Sequence, residues 1–315
     1  MDKDYVYYKY SNFLKTHYHL KVYKLPVNLP VSCPNRRDGQ GCTFCAEDGT
    51  GFEAMSADKS VTEQLTKTRE YIQKRYKAQK FIAYFQNYTN TFLPLKQLKS
   101  YMDEAAKIPD IVEIAISTRP DCIREDYLDM MADFSDKYGI GINIELGLQT
   151  ANYHTLESIR RGHGLAEYLD AALRIKRRGF LLCTHVILNL PGDMLEDVIE
   201  TSKILSVMNN DLVKIHSLYI AKETEMARLY ESGQLDICSK EDYFLRLRMF
   251  LEYLSPNIAV ERLFSRIPEK DALFSNWQTS WWKLLDEFCA YMEEEKSFQG
   301  KKCDYMNGAA LKTLF

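Results

Sequence analysis

No run of apolar residues in this sequence is long enough to span a bilayer. The opening Met1-Asp2-Lys3-Asp4-Tyr5 has no apolar signal core. Together these absences predict a cytoplasmic protein with no membrane partner, in a reducing compartment where its eight cysteines need not pair. Charge of neither sign dominates: 41 Lys and Arg against 44 Asp and Glu leave a net charge of −3, so no global basic field argues for nucleic acid. There is no strict internal repeat, no low-complexity stretch and no linker composition that would separate a second independent domain. A closed zinc site usually shows two ligand pairs, and neither a second C-x2-C nor an H-x3-H pair occurs. What remains is the balance of a globular chain, 46% hydrophobic and 27% charged, in 315 residues. That length suits one large α/β domain or two ordinary ones.

Against this background one stretch stands out, Ser32-Cys33-Pro34-Asn35-Arg36-Arg37-Asp38-Gly39-Gln40-Gly41-Cys42-Thr43-Phe44-Cys45. Its polar interior, with Pro34, Gly39 and Gly41, excludes a regular helix or a central strand. A loop that gathers three thiolates is suited to a soft metal centre, and three cysteines fit a [4Fe-4S] cluster with one iron left open. A structural zinc loop completed by a distant fourth ligand is the competing reading. Cys122, Cys183, Cys238, Cys289 and Cys303 show no ligand spacing among themselves.

Around the loop the chain alternates. Residues 1–20 read as an N-terminal arm with a short helix, and 21–29 as a first strand. Apolar runs at 81–85, 111–116, 141–146, 180–188 and 212–216 then alternate with helical patterns at 61–77, 95–107, 124–138, 151–160, 165–178 and 194–208. This spacing predicts βα units in parallel pairing. No Gly-rich phosphate loop follows the first strand, so six strands in series predict an α/β fold with a partial (βα)6 barrel rather than a flat dinucleotide-binding sheet. Beyond residue 223 come helices at 223–232 and 240–254, a possible strand at 258–263 and a final amphipathic helix at 277–296. Residues 21–265 form the expected core, and 266–315 a helical extension packed on it.

A barrel of parallel strands binds ligands at its C-terminal strand ends. Five of these ends are polar: Gln86–Thr91, Ser117–Asp121, Glu145–Thr150, Asn189–Asp193 and His216–Tyr219. Turn chemistry alone would not put a polar cluster after every strand. His216 also reads as a satisfied core histidine, and Glu145 as one side of a buried salt bridge.

The C-x-aromatic-C ending of the cysteine loop resembles the cluster loop of radical S-adenosylmethionine (SAM) enzymes. With Tyr84–Phe92, Ser117–Asp121, Glu145–Thr150, Ile159–His163, Leu188–Asp193 and Val213–His216, the chain resembles the YhcC/YtqA-like group of that superfamily, related to the Elongator catalytic subunit. The resemblance runs from the N-terminal arm to about residue 265. It departs from the pattern in the doubled Arg36-Arg37 and in Gln86–Asn90, which stands where a Gly-Gly-Glu segment is usual. It implies a radical SAM barrel in which Cys33, Cys42 and Cys45 ligate a [4Fe-4S] cluster. The SAM-binding residues it implies are Phe44 near the adenine, Ile187 and Leu190 bracketing it, Glu145 toward the ribose, and Gln149 and Arg161 toward the polar end. Gln86 and Asn90 stand near the place of the group that receives the amino nitrogen.

The implied chemistry is reductive cleavage of SAM to a 5′-deoxyadenosyl radical, with the electron coming from an external flavodoxin- or ferredoxin-type reductant. The implied substrate is tRNA, at a wobble-uridine side chain. No acetyltransferase domain like that of the Elongator subunit accompanies the motifs, so the same reaction does not follow. A radical reaction on a small molecule and a non-enzymatic, metal-stabilised RNA-binding module are the alternatives. The 21 tyrosines are compatible with base stacking without requiring it.

Overall fold

The structure, a computed structural model, describes residues 6–37, 39, 41–46 and 54–309. The start of the arm, Asp38 and Gln40 of the cysteine loop, and the end of the extension lie outside these. In chain order the elements are α1 (Tyr10–Tyr18), β1 (Val22–Val27), α2 (Pro34–Arg37), α3 (Val61–Tyr76), β2 (Lys80–Phe85), α4 (Leu95–Ala105), β3 (Ile111–Thr118), α5 (Glu125–Tyr138) and β4 (Gly141–Gln149). There follow α6 (Tyr153–Ser158), α7 (Leu165–Arg177), β5 (Leu181–Ile187), α8 (Leu195–Val207), β6 (Leu212–His216), β7 (Ile220–Ala221), α9 (Glu225–Glu231), α10 (Lys240–Tyr253), β8 (Ala259–Arg262), β9 (Ala272–Phe274) and α11 (Trp281–Glu294).

Seven strands form one parallel sheet in the order β1-β2-β3-β4-β5-β6-β8. Strand order follows chain order, so each crossover lands on the next strand and the sheet curls instead of reversing about its centre. The result is a partial barrel, with the possible strand at 258–263 realised as a seventh member, β8. β7 and β9 pair separately as a short antiparallel ribbon that apolar periodicity is too short to reveal.

Side chains alternate across the curled sheet as the pleat demands. Leu25, Val27, Phe81, Phe85, Ile114, Ile116, Ile144 and Leu146 belong to the large core shared with the outer helices. The interior starts with an apolar layer, where Leu14 of α1 meets Val22, Ile82 and Ala115. Above it stand polar and charged groups, among them Lys24, Glu145, His185 and Lys214. α1 lies near the gap between the edge strands β1 and β8: Val260 donates its backbone N–H to Tyr8 O at 2.8 Å. Helix ends follow local chemistry. Ser60 caps α3 by accepting from Glu63 N, and Gly139 closes α5 in the left-handed conformation that glycine adopts without steric cost.

Several boundaries depart from the sequence expectation, three of them for a visible reason. β4 runs three residues further, to Gln149, because the sheet ladder continues past the apolar run. α6 is shorter than 151–160: Arg160, at φ +53°, ends it. The last helix starts at Trp281, not Trp277, because Trp277 sits in a left-handed turn (φ +48°) and donates its indole N–H to Cys238 O at 2.8 Å.

Candidate functional site

The cysteine loop leaves the C-terminal end of β1 and is held from several sides. Arg36 N donates to Cys33 O at 2.9 Å, Gly41 N to Asn35 O at 3.1 Å and Cys45 N to Cys42 O at 3.1 Å. The Arg36 guanidinium donates to Cys45 O at 2.7 Å and to Ala46 O, tying the end of the loop to its first turn. Gly41 is at φ +73°, and a Cβ there would stand 3.1 Å from Arg36 Cγ, so glycine suits both the turn and the close approach. Thr43 links the loop to the end of α6 through Ile159 O and to the start of α9 through Met226 N.

The three thiols line one cavity of about 120 Å³. Donors are aimed at their sulfurs: Asn35 Nδ2 at 3.3 Å and Arg161 Nη1 at 3.7 Å from Cys42 Sγ, Thr89 Oγ1 at 3.4 Å and Arg119 Nη1 at 3.8 Å from Cys33 Sγ. Burial pushes the Cys45 thiol up, and its contact with Arg36 opposes that. N–H and guanidinium donors around sulfur favour thiolate over thiol. No other cysteine among the described residues lines this cavity. Three thiolates, cationic neighbours and no fourth sulfur fit a [4Fe-4S] cluster with one open iron. Glu145, Cys183 and His185 also lie within 4.8 Å of one another. The ammonium groups of Lys24 and Lys214 already flank that carboxylate, so this trio is better described as part of an ion-pair network than as a cation site.

Phe44, Gln86, Glu145, Gln149 and Arg161 line the cysteine cavity. Ile187 lines a second cavity of about 100 Å³, and Phe44, Gln86, Gln149 and His185 line both, so the two spaces adjoin at the strand ends. Two expected residues are not brought in. Asn90 is fully buried, and its amide donates to Phe85 O at 2.9 Å, Asn87 O at 3.1 Å and Ser117 O at 2.9 Å. It stitches the ends of β2 and β3 together. Leu190 packs behind Ile187 with Leu156, Ile159 and Leu218, lining neither cavity.

The end of β4 has the alternation a ligand pocket needs, with a local irregularity. The pairing register with β5 shifts between Gly147 and Gln149, and Gln149 is at φ +83°. A bulge of this kind re-aims a side chain at a strand end. Arg161 donates twice to Gly147 O, at 2.6 and 3.2 Å. A Cβ at residue 147 would stand 2.5 Å from Arg161 Nη2, so glycine is what lets the guanidinium come so close.

Beneath the cavities lies a buried ring of charge. Glu145, with no exposed side-chain surface, meets Lys24 at 2.6 Å, His185 Nε2 at 2.7 Å and Lys214 at 3.4 Å. Glu261 meets Lys24 at 2.6 Å and Lys214 at 3.1 Å. Burial alone would raise the Glu145 carboxyl, but Lys214 and Lys24, with His185 behind them, hold it well below the usual carboxylate range. Burial lowers His185 in turn, and its bond to Glu145 opposes this. A neutral imidazole that donates Nε2–H to Glu145 leaves Nδ1 as an acceptor at the junction of the two cavities. His216, in the second cavity, is held well below its ordinary value by burial and by its cationic and imidazole neighbours.

Sequence reasoning misses Lys24, His185, Lys214 and Glu261 as parts of this centre, and places Arg119 only within the polar end Ser117–Asp121. A usable signal was present: one ionisable residue inside each of several apolar strands, as in Val22-Tyr23-Lys24-Leu25 or Leu212-Val213-Lys214-Ile215. A charge there is tolerated when it faces a partner across the barrel.

Residues 27–205 match the model of the radical SAM superfamily, and residues 210–294 match that of the radical SAM C-terminal domain. The chain is 31% identical to YtqA of Bacillus subtilis, covering 94% of this chain and 92% of that protein. It is 33% identical to YhcC of Escherichia coli, covering 89% and 90%. A shorter match, 28% identical over 43% of this chain and 26% of the relative, is to a tRNA uridine(34) acetyltransferase of Methanocaldococcus jannaschii. Among solved structures, Elp3 of Methanocaldococcus infernus shares the fold, with a TM-score of 0.70 at 16% identity over 89% of this chain and 64% of that one. By these matches the chain belongs to the radical SAM superfamily, in the YhcC/YtqA-like group related to Elongator.

Proposed function

We propose that this protein is a cytoplasmic radical SAM enzyme that modifies tRNA, at the side chain of a wobble uridine. The observation that carries the reading is the junction of two cavities at the strand ends. One is lined by three thiols; the other is lined by Lys214, His216 and Arg262, with Phe44, Gln86, Gln149 and His185 common to both. Such an arrangement suits a cofactor on one side and a substrate on the other. The kinship to a tRNA uridine(34) acetyltransferase supports RNA as that substrate.

Cys33, Cys42 and Cys45 would hold a [4Fe-4S] cluster, and Phe44, Gln86, Gln149, Arg161 and Ile187 would hold SAM. When bound, these groups supply a one-electron cleavage of SAM that yields a 5′-deoxyadenosyl radical, with a flavodoxin- or ferredoxin-type protein as electron donor. Phe44 and Ile187 offer apolar surface for an adenine. Arg161, fixed by Gly147 O, presents a guanidinium suited to a carboxylate. Glu145 orients His185, whose Nδ1 accepts a hydrogen bond from whatever occupies the junction. Asn90 and Leu190 frame the strand ends from behind. Burial of the junction keeps water from a reactive intermediate. A base on a folded RNA reaches such a site only when splayed out of its stack, which an anticodon loop permits.

The test is nucleoside profiling of tRNA from cells with and without the gene. The expected result is loss or replacement of one modified uridine. An unchanged profile across all tRNAs would contradict the RNA reading.

A further inference from the structure

Two hydrogen-bonding atoms near the junction of the cavities are left over once the partners of the buried network are counted: the hydrogen of the Tyr84 hydroxyl and Nδ1 of His185. We infer that they read the edge of the reacting base, His185 Nδ1 accepting from the N3–H of a uracil and the Tyr84 hydroxyl donating to a carbonyl beside it. The inference rests on the wobble-uridine reading above and adds which residues select that base.

The donor follows from counting. Tyr84 is 4% exposed and lines the second cavity. Ser117 Oγ donates to its hydroxyl oxygen at 3.0 Å and Lys214 Nζ at 3.2 Å, which fills both lone pairs. Among the described residues nothing accepts the phenolic hydrogen. Burial raises the phenol above its ordinary value, so that hydrogen stays in place. The ring lies between the ammonium groups of Lys24 and Lys214, 4.9 and 4.6 Å from its centroid, and these contacts fix where the hydroxyl stands. Ser117 lines the cysteine cavity and Tyr84 the second, so the hydroxyl between them lies where the two spaces adjoin. A buried donor without an acceptor is costly, and a ligand that supplies one recovers the cost.

The acceptor is set by the charge ring. His185 Nε2 stands 2.7 Å from Glu145 Oε2 and carries the hydrogen that this carboxylate accepts, which leaves Nδ1 bare. No described residue donates to Nδ1. The two leftover atoms belong to one cluster: Lys214 Nζ is 3.2 Å from the Tyr84 hydroxyl and 3.4 Å from Glu145 Oε2, the oxygen that also holds His185.

One acceptor and one donor in the same buried cluster match a ring N–H next to a ring carbonyl. Uracil presents that pair at N3–H with O4 or O2, and gripping it leaves the C5–C6 edge free to react. Enzymes that act on a base taken out of its stack read it in this way, by hydrogen bonds to its Watson–Crick edge. Cytosine in the same pose would set its N3 acceptor against the bare Nδ1.

The test is equilibrium binding of unmodified anticodon stem-loops to the full chain, reconstituted with iron and sulfide and kept free of SAM. The stem-loops differ only at the wobble base, which is uridine, 3-methyluridine or cytidine. The wild type should bind the uridine form about tenfold or more tighter than the other two, because each of those leaves Nδ1 without a donor. His185→Phe keeps a ring and removes the acceptor, and should bind the uridine and 3-methyluridine forms within about twofold of each other. Tyr84→Phe should bind the uridine form about tenfold more weakly than the wild type while still preferring it to 3-methyluridine, and it remains informative if His185→Phe folds poorly. Equal wild-type affinity for the three forms, or wild-type affinity and preference in both variants, overturns the assignment. A wild-type protein that binds none of the three overturns instead the wobble-uridine reading on which it rests.

Discussion

Replacing Glu145 with Gln tests the buried charge ring and the site above it together. The substitution keeps the shape of the side chain and removes its charge. The side chains of Glu145 and Lys214 are 0% and 4% exposed, which places the pair in the buried regime and not among surface pairs worth under about 1 kcal/mol. In the variant, Lys24 and Lys214 share Glu261 alone, leaving one buried positive charge uncompensated. Breaking a buried pair from one side costs about 3–5 kcal/mol. For a chain of this length that corresponds to a drop of roughly 5–7 °C in melting temperature. A second change, Lys214→Met, restores neutrality and should recover part of the loss. The sign with pH follows from the lowered carboxyl: its contribution is present above the unfolded carboxylate value, about 4.3, and is lost as pH falls toward the lower folded value. Guanidinium titrations of the two variants and the wild type, at neutral and acid pH, measure all of this. A loss under about 1 kcal/mol at neutral pH, or a double variant worse than the single by the full cost of a second lesion, refutes the reasoning. If the fold is intact while SAM affinity drops by about 1–3 kcal/mol, Glu145 instead contacts the ligand directly.

Cys45→Ala should abolish both iron retention and SAM cleavage, whereas Cys289→Ala and Cys303→Ala should keep their iron, as metal analysis after reconstitution will show. Gly162→Ala should lower retained iron and cost about 1–2 kcal/mol of stability: residue 162 is at φ +76°, and a Cβ there would stand 2.5 Å from Asn35 Oδ1 and 2.8 Å from Arg119 Nη2, both of which hold cluster thiols. Asp193 is pushed up to about 6 by burial, only partly offset by the nearby hydroxyls of Thr155 and Thr150. The stability linked to its protonation is therefore full below about pH 4 and lost as pH rises through about 6. Asp193→Asn should exceed the wild type by about 1–3 kcal/mol at pH 7 in urea titrations, with the gap closing below pH 4; an Asn variant less stable at pH 7 contradicts this.

Much of the barrel is legible in the sequence because parallel strands covered by helices are apolar runs, and the intervening helices carry clear periodicity. The extended end of β4 is not, because Gly147 and Gln149 continue a ladder that only the neighbouring strand supplies. Trp277 reads as helical by its apolar neighbours, yet its indole is claimed by Cys238 O, a contact between residues far apart in sequence. In the site, the three cysteines announce themselves by spacing. Gln86 and Gln149 follow from their place at strand ends, and Arg161 from the Ile159–His163 segment that carries the family resemblance. Asn90 has the same place but turns inward, since three backbone carbonyls converge on its amide. The ring of Lys24, Glu145, Lys214 and Glu261 was visible only as isolated charges, for spacing along a chain does not say which charge lies across a barrel from which.

The most direct test of the central claim is anaerobic reconstitution of the full chain with iron and sulfide, followed by metal analysis and EPR with and without SAM. The account predicts about four irons per chain and a reduced [4Fe-4S] signal that SAM perturbs. Stoichiometric zinc and no bound iron under the same conditions would contradict it.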